Sequence, residues 1–354
     1  MMGEKRDILG LTKAELSEVL GALGEPAYRS GQLFSWLHKR GVREFSQMTD
    51  ISKALRGSLQ EAFFIGRLTK ADERRSADGT VKYLYTLEDK ELIETVVIYS
   101  NAGISLCIST QAGCSMGCVF CASAADSLAR NLTIPELLGQ VYAAADDLEA
   151  RVDRIVLMGT GEPLDNFCNV MAFYDIITDK DGYGLRNRAV SLSTCGLADK
   201  IDLLAGMKTQ MTLSVSLHAT TDELRDRLMP VNRVYGIDRL MESCLNYQRL
   251  TGRRVTFEYA VMAGLNNADE DAMRLAKLAR NTGAHVNLIP VNPVRGEAYA
   301  ASGEDADSFC SKLTALGANA TVRRTLGADI EAACGQLRRK GKAADTYHGE
   351  GGTL

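Results

Sequence analysis

The sequence predicts an α/β protein: an open, partial parallel βα barrel, preceded by a small helical domain and a β-hairpin extension. Three observations carry this. From about residue 104 to 325, short runs of strand-forming residues alternate with helical segments, the pattern of a parallel sheet. Residues 1–65 carry their apolar side chains at helical spacing. Between these regions the period changes to two. Six or seven βα units are too few to close an eight-strand barrel. At 354 residues and 45% apolar, the chain is long enough for one barrel-sized domain and a smaller appendage.

Taken in order, Thr12 and Glu15 form a candidate capping box leading into Leu16, Val19 and Leu20. A second helix is expected around Leu33, Phe34, Trp36 and Leu37, and a third around Ile51, Leu55, Leu59 and Phe63. His38 reads as a surface or core-edge histidine rather than a ligand. Over residues 66–103, Tyr83, Tyr85 and Leu87, then Ile93, Thr95, Val97 and Tyr99, alternate with other residues across Glu88-Asp89-Lys90-Glu91, which predicts a hairpin. Arg67, Lys70, Arg74, Arg75 and Lys82 bias it basic, as a solvated face or as phosphate contacts. Strands are then expected at 104–109, 154–158, 189–193, 212–217, 255–261, 286–289 and 320–322, with a helix at about 134–148 starting near Pro135. Residues 326–354 form a C-terminal segment. From about Gly341 its glycines and charges predict poor order.

No apolar run reaches the roughly 18 residues of a membrane helix, and the first residues lack a signal-peptide core. A cytoplasmic protein without a membrane partner is expected. Nine cysteines then point to metal or redox chemistry rather than a secreted disulfide framework. A net charge of −4 leaves nucleic-acid binding to local basic patches.

The densest chemistry lies in Cys114-Ser115-Met116-Gly117-Cys118-Val119-Phe120-Cys121. The C-x3-C-x2-C spacing supplies three thiolates and no fourth ligand. A structural zinc site wants four; a cubane iron–sulfur cluster held by three leaves one iron open. That open position suits S-adenosylmethionine (SAM), as in radical SAM enzymes. A zinc knuckle and incidental cysteines are the plainer alternatives. The loop follows a predicted strand, where working groups gather in barrel folds.

Other strand ends add to it. Gly161 and Glu162 sit in Gly159-Thr160-Gly161-Glu162-Pro163, where glycine permits close backbone approach and the carboxylate suits an ammonium. Ser193 and Ser216 suit a carboxylate or ribose, and His218 a hydroxyl or base. Asn292, between Pro290 and Pro293, suits an adenine edge. Cys107, on the strand before the loop, and Cys334, far along the chain before the basic run Arg338-Arg339-Lys340, read either as small buried hydrophobes or as a nucleophile or thiol pair. Cys195 is the most suited of the others to edge the cofactor site; Cys168, Cys244 and Cys310 read as structural.

The chain resembles the RlmN family, the radical SAM ribosomal RNA adenine-C2 methyltransferases. The resemblance rests on Gln111-Ala112-Gly113-Cys114, Arg130-Asn131-Leu132-Thr133, Gly161-Glu162-Pro163-Leu164, Ser216-Leu217-His218-Ala219, Asn287-Leu288-Ile289-Pro290 and Ala332-Ala333-Cys334-Gly335-Gln336-Leu337. Pro26-Ala27-Tyr28-Arg29 and Gln32-Leu33-Phe34-Ser35-Trp36-Leu37 match its helical N-terminal domain. The segment 122–128 departs from the glycine-containing stretch of many relatives. The resemblance implies one [4Fe–4S] cluster on Cys114, Cys118 and Cys121, and SAM contacts from Gly161, Glu162, Ser193, Ser216, Leu217, His218 and Asn292. It implies two SAM per turnover: one methylates Cys334, the other yields a 5′-deoxyadenosyl radical. Cys107 is then the resolving partner in a transient disulfide with Cys334, and Glu94 the proton acceptor; otherwise Glu94 reads as a solvent-facing hairpin residue. The implied partners are 23S rRNA, some tRNAs and an electron donor such as flavodoxin or ferredoxin, with the chain a monomer. Methylation at C8, and a zinc-stabilised RNA-binding protein using Cys107 with the three loop cysteines, are the alternatives.

Overall fold

In a computed structural model describing residues 5–124, 127–290, 303–333 and 335–337, the chain opens with a short strand, β1 (Arg6–Asp7), followed by α1 (Lys13–Ala22), α2 (Tyr28–His38) and α3 (Lys53–Ala62). A second short strand, β2 (Phe63–Phe64), pairs with β1 in parallel. Thr12 and Glu15 cap α1 reciprocally, each side chain accepting the other's backbone N–H. His38 departs from the sequence expectation. It is buried, with Nδ1 2.8 Å from the Tyr142 hydroxyl.

The basic stretch forms a strand the sequence pattern did not predict, β3 (Thr69–Arg75). It pairs antiparallel with β4 (Val81–Thr86), and β4 pairs likewise with β5 (Leu92–Ser100). Each basic residue of that stretch has an acidic partner: Arg67 with Asp146, Lys70 with Glu73 and Asp147, Arg74 with Asp72, Arg75 with Glu73, and Lys82 with Glu94. β6 (Gly103–Cys107) leads to a small antiparallel pair, β7 (Gln111–Ala112) and β8 (Arg130–Asn131), which closes the base of the cysteine loop. α4 (Ile134–Leu148) starts behind an Arg130 fork: both guanidinium nitrogens reach Glu136 at 2.8 Å, and Glu136 accepts the Thr133 N–H.

The βα alternation then runs β9 (Arg154–Leu157), α5 (Phe167–Thr178), β10 (Val190–Thr194), α6 (Ala198–Gly206) and β11 (Thr212–Ser216). It continues with α7 (Asp222–Leu228), α8 (Ile237–Thr251), β12 (Thr256–Val261), α9 (Asp269–Thr282), β13 (His285–Pro290), α10 (Gly303–Ala315) and β14 (Asn319–Val322). The main sheet has ten strands in the order β14-β13-β12-β11-β10-β9-β6-β5-β4-β3. β6 and β9 through β14 are parallel and β3 through β5 antiparallel. This is the open partial barrel. One core cluster runs from Ile8, Leu16 and Phe34 through Leu157, Val215 and Phe257 to Phe309, so the N-terminal helices share the barrel's core. Among the described residues no helix is long and apolar enough to cross a membrane.

Candidate cofactor cleft and a second cavity

The C-terminal strand ends and the cysteine loop enclose a cleft of about 1050 Å³, open mouth included. Cys114, Cys118, Cys121, Gly161, Glu162, Ser193, Cys195, Ser216 and His218 line it. Leu217 does not: its side chain lies fully in the core. Asn292 and Cys334, with the basic run 338–340 and the tail from Gly341, lie outside the described residues.

Glycine is required at position 161. Its φ is +107°, and a Cβ there would sit 2.6 Å from the Gln111 Cβ. The Glu162 carboxylate accepts the N–H groups of Leu164 (3.0 Å) and Cys195 (2.7 Å), tying the end of β9 to the end of β10. Burial pushes its pKa up, against these hydrogen bonds. His218 adopts left-handed backbone (φ 55°), and its Nδ1 accepts the Ala260 N–H at 2.9 Å. Nε2 therefore carries the proton of the neutral ring. Burial, helped by the Arg225 charge, holds the pKa down at about 3, so His218 can present a neutral donor to a ligand.

Burial pushes the Cys114 thiol up to about 11 and Cys118 further up, with the neighbouring loop thiols adding to both. Thiolates in such surroundings need a compensating cation. Three thiols lining one cleft, without a fourth protein ligand at motif spacing, have the donor chemistry of a cubane cluster with one open iron, although among the described residues no three donors are drawn together as a metal site. Cys107 is not among the residues lining this cleft. It lies in a separate cavity of about 580 Å³ lined also by Val96, Ile98, Ala332, Ala333 and Leu337. The two cavities share Met158, Ile289, Pro290 and Arg323 as a common wall.

The C-terminal segment runs along that wall. Gly335 lines the first cavity, whereas Ala332, Ala333 and Leu337 line the second. The Ala122 N–H donates to the Gly335 carbonyl at 2.8 Å and the Ser123 hydroxyl to the Leu337 carbonyl, which fastens the segment to the cysteine loop. At its other end, Asp78 accepts the Gly327 N–H at 2.7 Å, Asp329 accepts from the Ser76 hydroxyl at 2.6 Å, and Lys82 donates to the Glu331 carbonyl at 2.8 Å. Glu94 is 1% exposed and does not face solvent, unlike a free hairpin residue. It lies two residues from Val96, which is opposite Cys107 in the β5–β6 register.

Two residues that sequence reasoning missed hold the rim. Arg225 is fully buried and donates to the carbonyls of Cys195, Ser216 and Leu217 and to Asn232 Oδ1. Asn266 donates to the carbonyls of His218 and Ala260. Nothing in an Arg-rich helix or an Asn-Asn turn marks either from sequence.

Residues 6–65 match the ribosomal RNA large subunit methyltransferase N-terminal domain, and residues 108–276 match the radical SAM superfamily. The chain is 47% identical over 340 residues to a probable dual-specificity RNA methyltransferase RlmN of Alkaliphilus oremlandii, covering 95% of this chain and 98% of the relative. It is 44% identical over 338 residues to one of Desulforamulus reducens, covering 95% and 97%. The crystal structure of a radical SAM methyltransferase from Sphaerobacter thermophilus superimposes with a TM-score of 0.88 at 41% identity, over 94% of this chain and 98% of that one. Two family models in the expected order, and relatives aligned over nearly their full length, place the chain in the RlmN family of SAM-dependent radical SAM RNA methyltransferases.

Proposed function

We propose that this enzyme methylates C2 of a specific adenine in 23S rRNA, and of the adenosine beside the anticodon in some tRNAs. The observation that carries this reading is the shared wall. Residues on either side of Cys334 line the cysteine cleft and the Cys107 cavity, so a carbon carried on Cys334 could pass between a SAM site and a thiol partner. Adenine C2 is electrophilic, which defeats direct methyl transfer. When bound and reduced, a [4Fe–4S] cluster on Cys114, Cys118 and Cys121 supplies the electron that cleaves SAM to a 5′-deoxyadenosyl radical.

The chain's own residues do the rest. Gly161 and Glu162 receive the SAM amino acid end; Ser193, Ser216, His218, the Leu217 backbone and Asn292 hold the remainder. Cys334, methylated by a first SAM, gives up a hydrogen and adds its methylene to C2. Glu94 accepts the ring proton. Cys107, as a thiolate, attacks the Cys334 sulfur and breaks its bond to the methylene; a proton completes the new methyl group, the adduct's unpaired electron leaves to the external carrier, and two further external electrons reduce the resulting disulfide. The target base leaves its stack to reach this site. In this reading residues 1–65 contact RNA, 66–103 form the hairpin extension, 104–325 the catalytic barrel and 326–354 the cysteine-bearing segment. The protein works as a cytoplasmic monomer with a flavodoxin or ferredoxin donor.

The test is digestion of rRNA and tRNA methylated in vitro, with identification of the nucleoside by mass spectrometry. 2-Methyladenosine is expected; 8-methyladenosine as the product would overturn the regiochemistry. Iron and sulfide should be present in protein purified without oxygen, and one zinc in their place would overturn the cofactor.

A further inference from the structure

Lys82 stands out among the basic residues of the hairpin because it is buried. Lys82 is 3% exposed and Glu94 1%, and Nζ lies 3.2 Å from Glu94 Oε1. On β4 and β5, Lys82 is opposite Val96, and Leu84 is opposite Glu94, so lysine and carboxylate meet diagonally on the face that bears Cys107. The same ammonium donates at 2.8 Å to the carbonyl of Glu331, three positions before Cys334. A buried charge is costly unless paired and hydrogen-bonded; here one lysine joins a carboxylate of the sheet to the backbone of the strap.

We propose that Lys82 is a positioning residue that fixes the Glu94 carboxylate relative to the strap bearing Cys334, so that the proton acceptor faces the ring carbon when the methylene carrier does. The inference rests on the roles assigned above to Glu94 and Cys334. The step it serves is a proton transfer: the C2–H bond of the adduct breaks, its electron pair stays in the ring, and the carboxylate becomes a carboxylic acid. An ammonium has several donors and no rigid plane, so it can serve two acceptors at once. A guanidinium at this position keeps the charge but not the geometry.

The experiment compares Lys82→Met, Lys82→Arg, Glu94→Gln and the Lys82→Met/Glu94→Gln double variant in the full-length, cluster-loaded enzyme. Three quantities are followed: methyl loading of Cys334 by intact mass, covalent protein–RNA adduct by denaturing gel, and turnover. Lys82→Met should load Cys334 like the parent, accumulate adduct and lose about tenfold in turnover, less than the roughly 100-fold or more that a general acid–base group itself contributes; Lys82→Arg should recover part of it. In the Glu94→Gln background, Lys82→Met should cost little more, because the two act as a unit. The double variant removes both charges of the Lys82–Glu94 pair, so this comparison stands even where Lys82→Met alone folds poorly. Parent-like turnover of Lys82→Met, or multiplicative losses in the double variant, would overturn the proposal. Parent-like turnover of Glu94→Gln would remove Glu94 as the proton acceptor and the proposal with it, and only that variant reports this failure.

Discussion

In the proposed mechanism, Cys107 and Cys334 move a carbon that a simple displacement cannot place. Cys334→Ala should abolish methyl loading and turnover, by protein mass and product analysis. Cys107→Ala should load normally and trap a covalent protein–RNA adduct; normal turnover would exclude its resolving role. A third residue tests the energetics. Burial holds His38 neutral, its pKa pushed down from 6.5 to about 3. As pH falls below 6.5 the unfolded chain takes up this proton and the folded chain does not, so stability falls with acidification through that window. His38→Gln should remove about 1.4 kcal/mol per pH unit from the slope of unfolding free energy between about pH 4 and 6, by denaturant titration. That the loop cysteines, Glu162 and His218 would line one cleft was legible in the sequence, because all follow strand ends. The roles of Arg225 and Asn266 were not, since their work is to bond carbonyls that only the folded rim brings together.

At the scale of elements, the hairpin and the cysteine loop each fasten one end of the strap. Asp78→Ala removes the acceptor of the Gly327 N–H without touching the loop. Turnover should fall severalfold while iron content stays at the parent level, by assay and metal analysis. Cys118→Ala should do the reverse, losing iron and SAM cleavage while the hairpin's hold on the strap remains. Helix and strand periodicity made α4 and most barrel strands legible, α4 to the residue. It did not reveal β3, whose residues Thr69–Arg75 are mostly polar and half-exposed and which is held by pairing with β4 and by ion pairs. Nor did it reveal that Glu94 is buried, because alternation along one strand does not say what covers its faces.

For the whole molecule, the continuous core makes the N-terminal helices part of the barrel's stability. Lys13 reaches Asp179 at 2.7 Å and Asp181 at 2.6 Å, and His38 packs on Tyr142. Deleting residues 1–65 should therefore expose Tyr142 and its neighbours and give an aggregating protein, by size-exclusion chromatography, rather than a folded barrel with weaker RNA affinity. Composition and alternation were enough to predict the open barrel, since each βα unit is written locally. The union of the helical domain with it was not legible, because it depends on which apolar faces meet.

The order of the sheet carries one more consequence, for how the protein is made. Every main-sheet strand from β3 to β14 pairs with its predecessor among them, so a ribosome can release the sheet one strand at a time with each new edge finding its neighbour already in place. The strap is the exception: its bonds to Asp78 and Lys82 span 249 positions and await the last part of the chain. Until then the cysteine loop lacks the Ala122–Gly335 and Ser123–Leu337 fastenings. If the three loop cysteines hold the cluster as proposed, the interval before the strap is made is when iron and sulfide would reach them most easily.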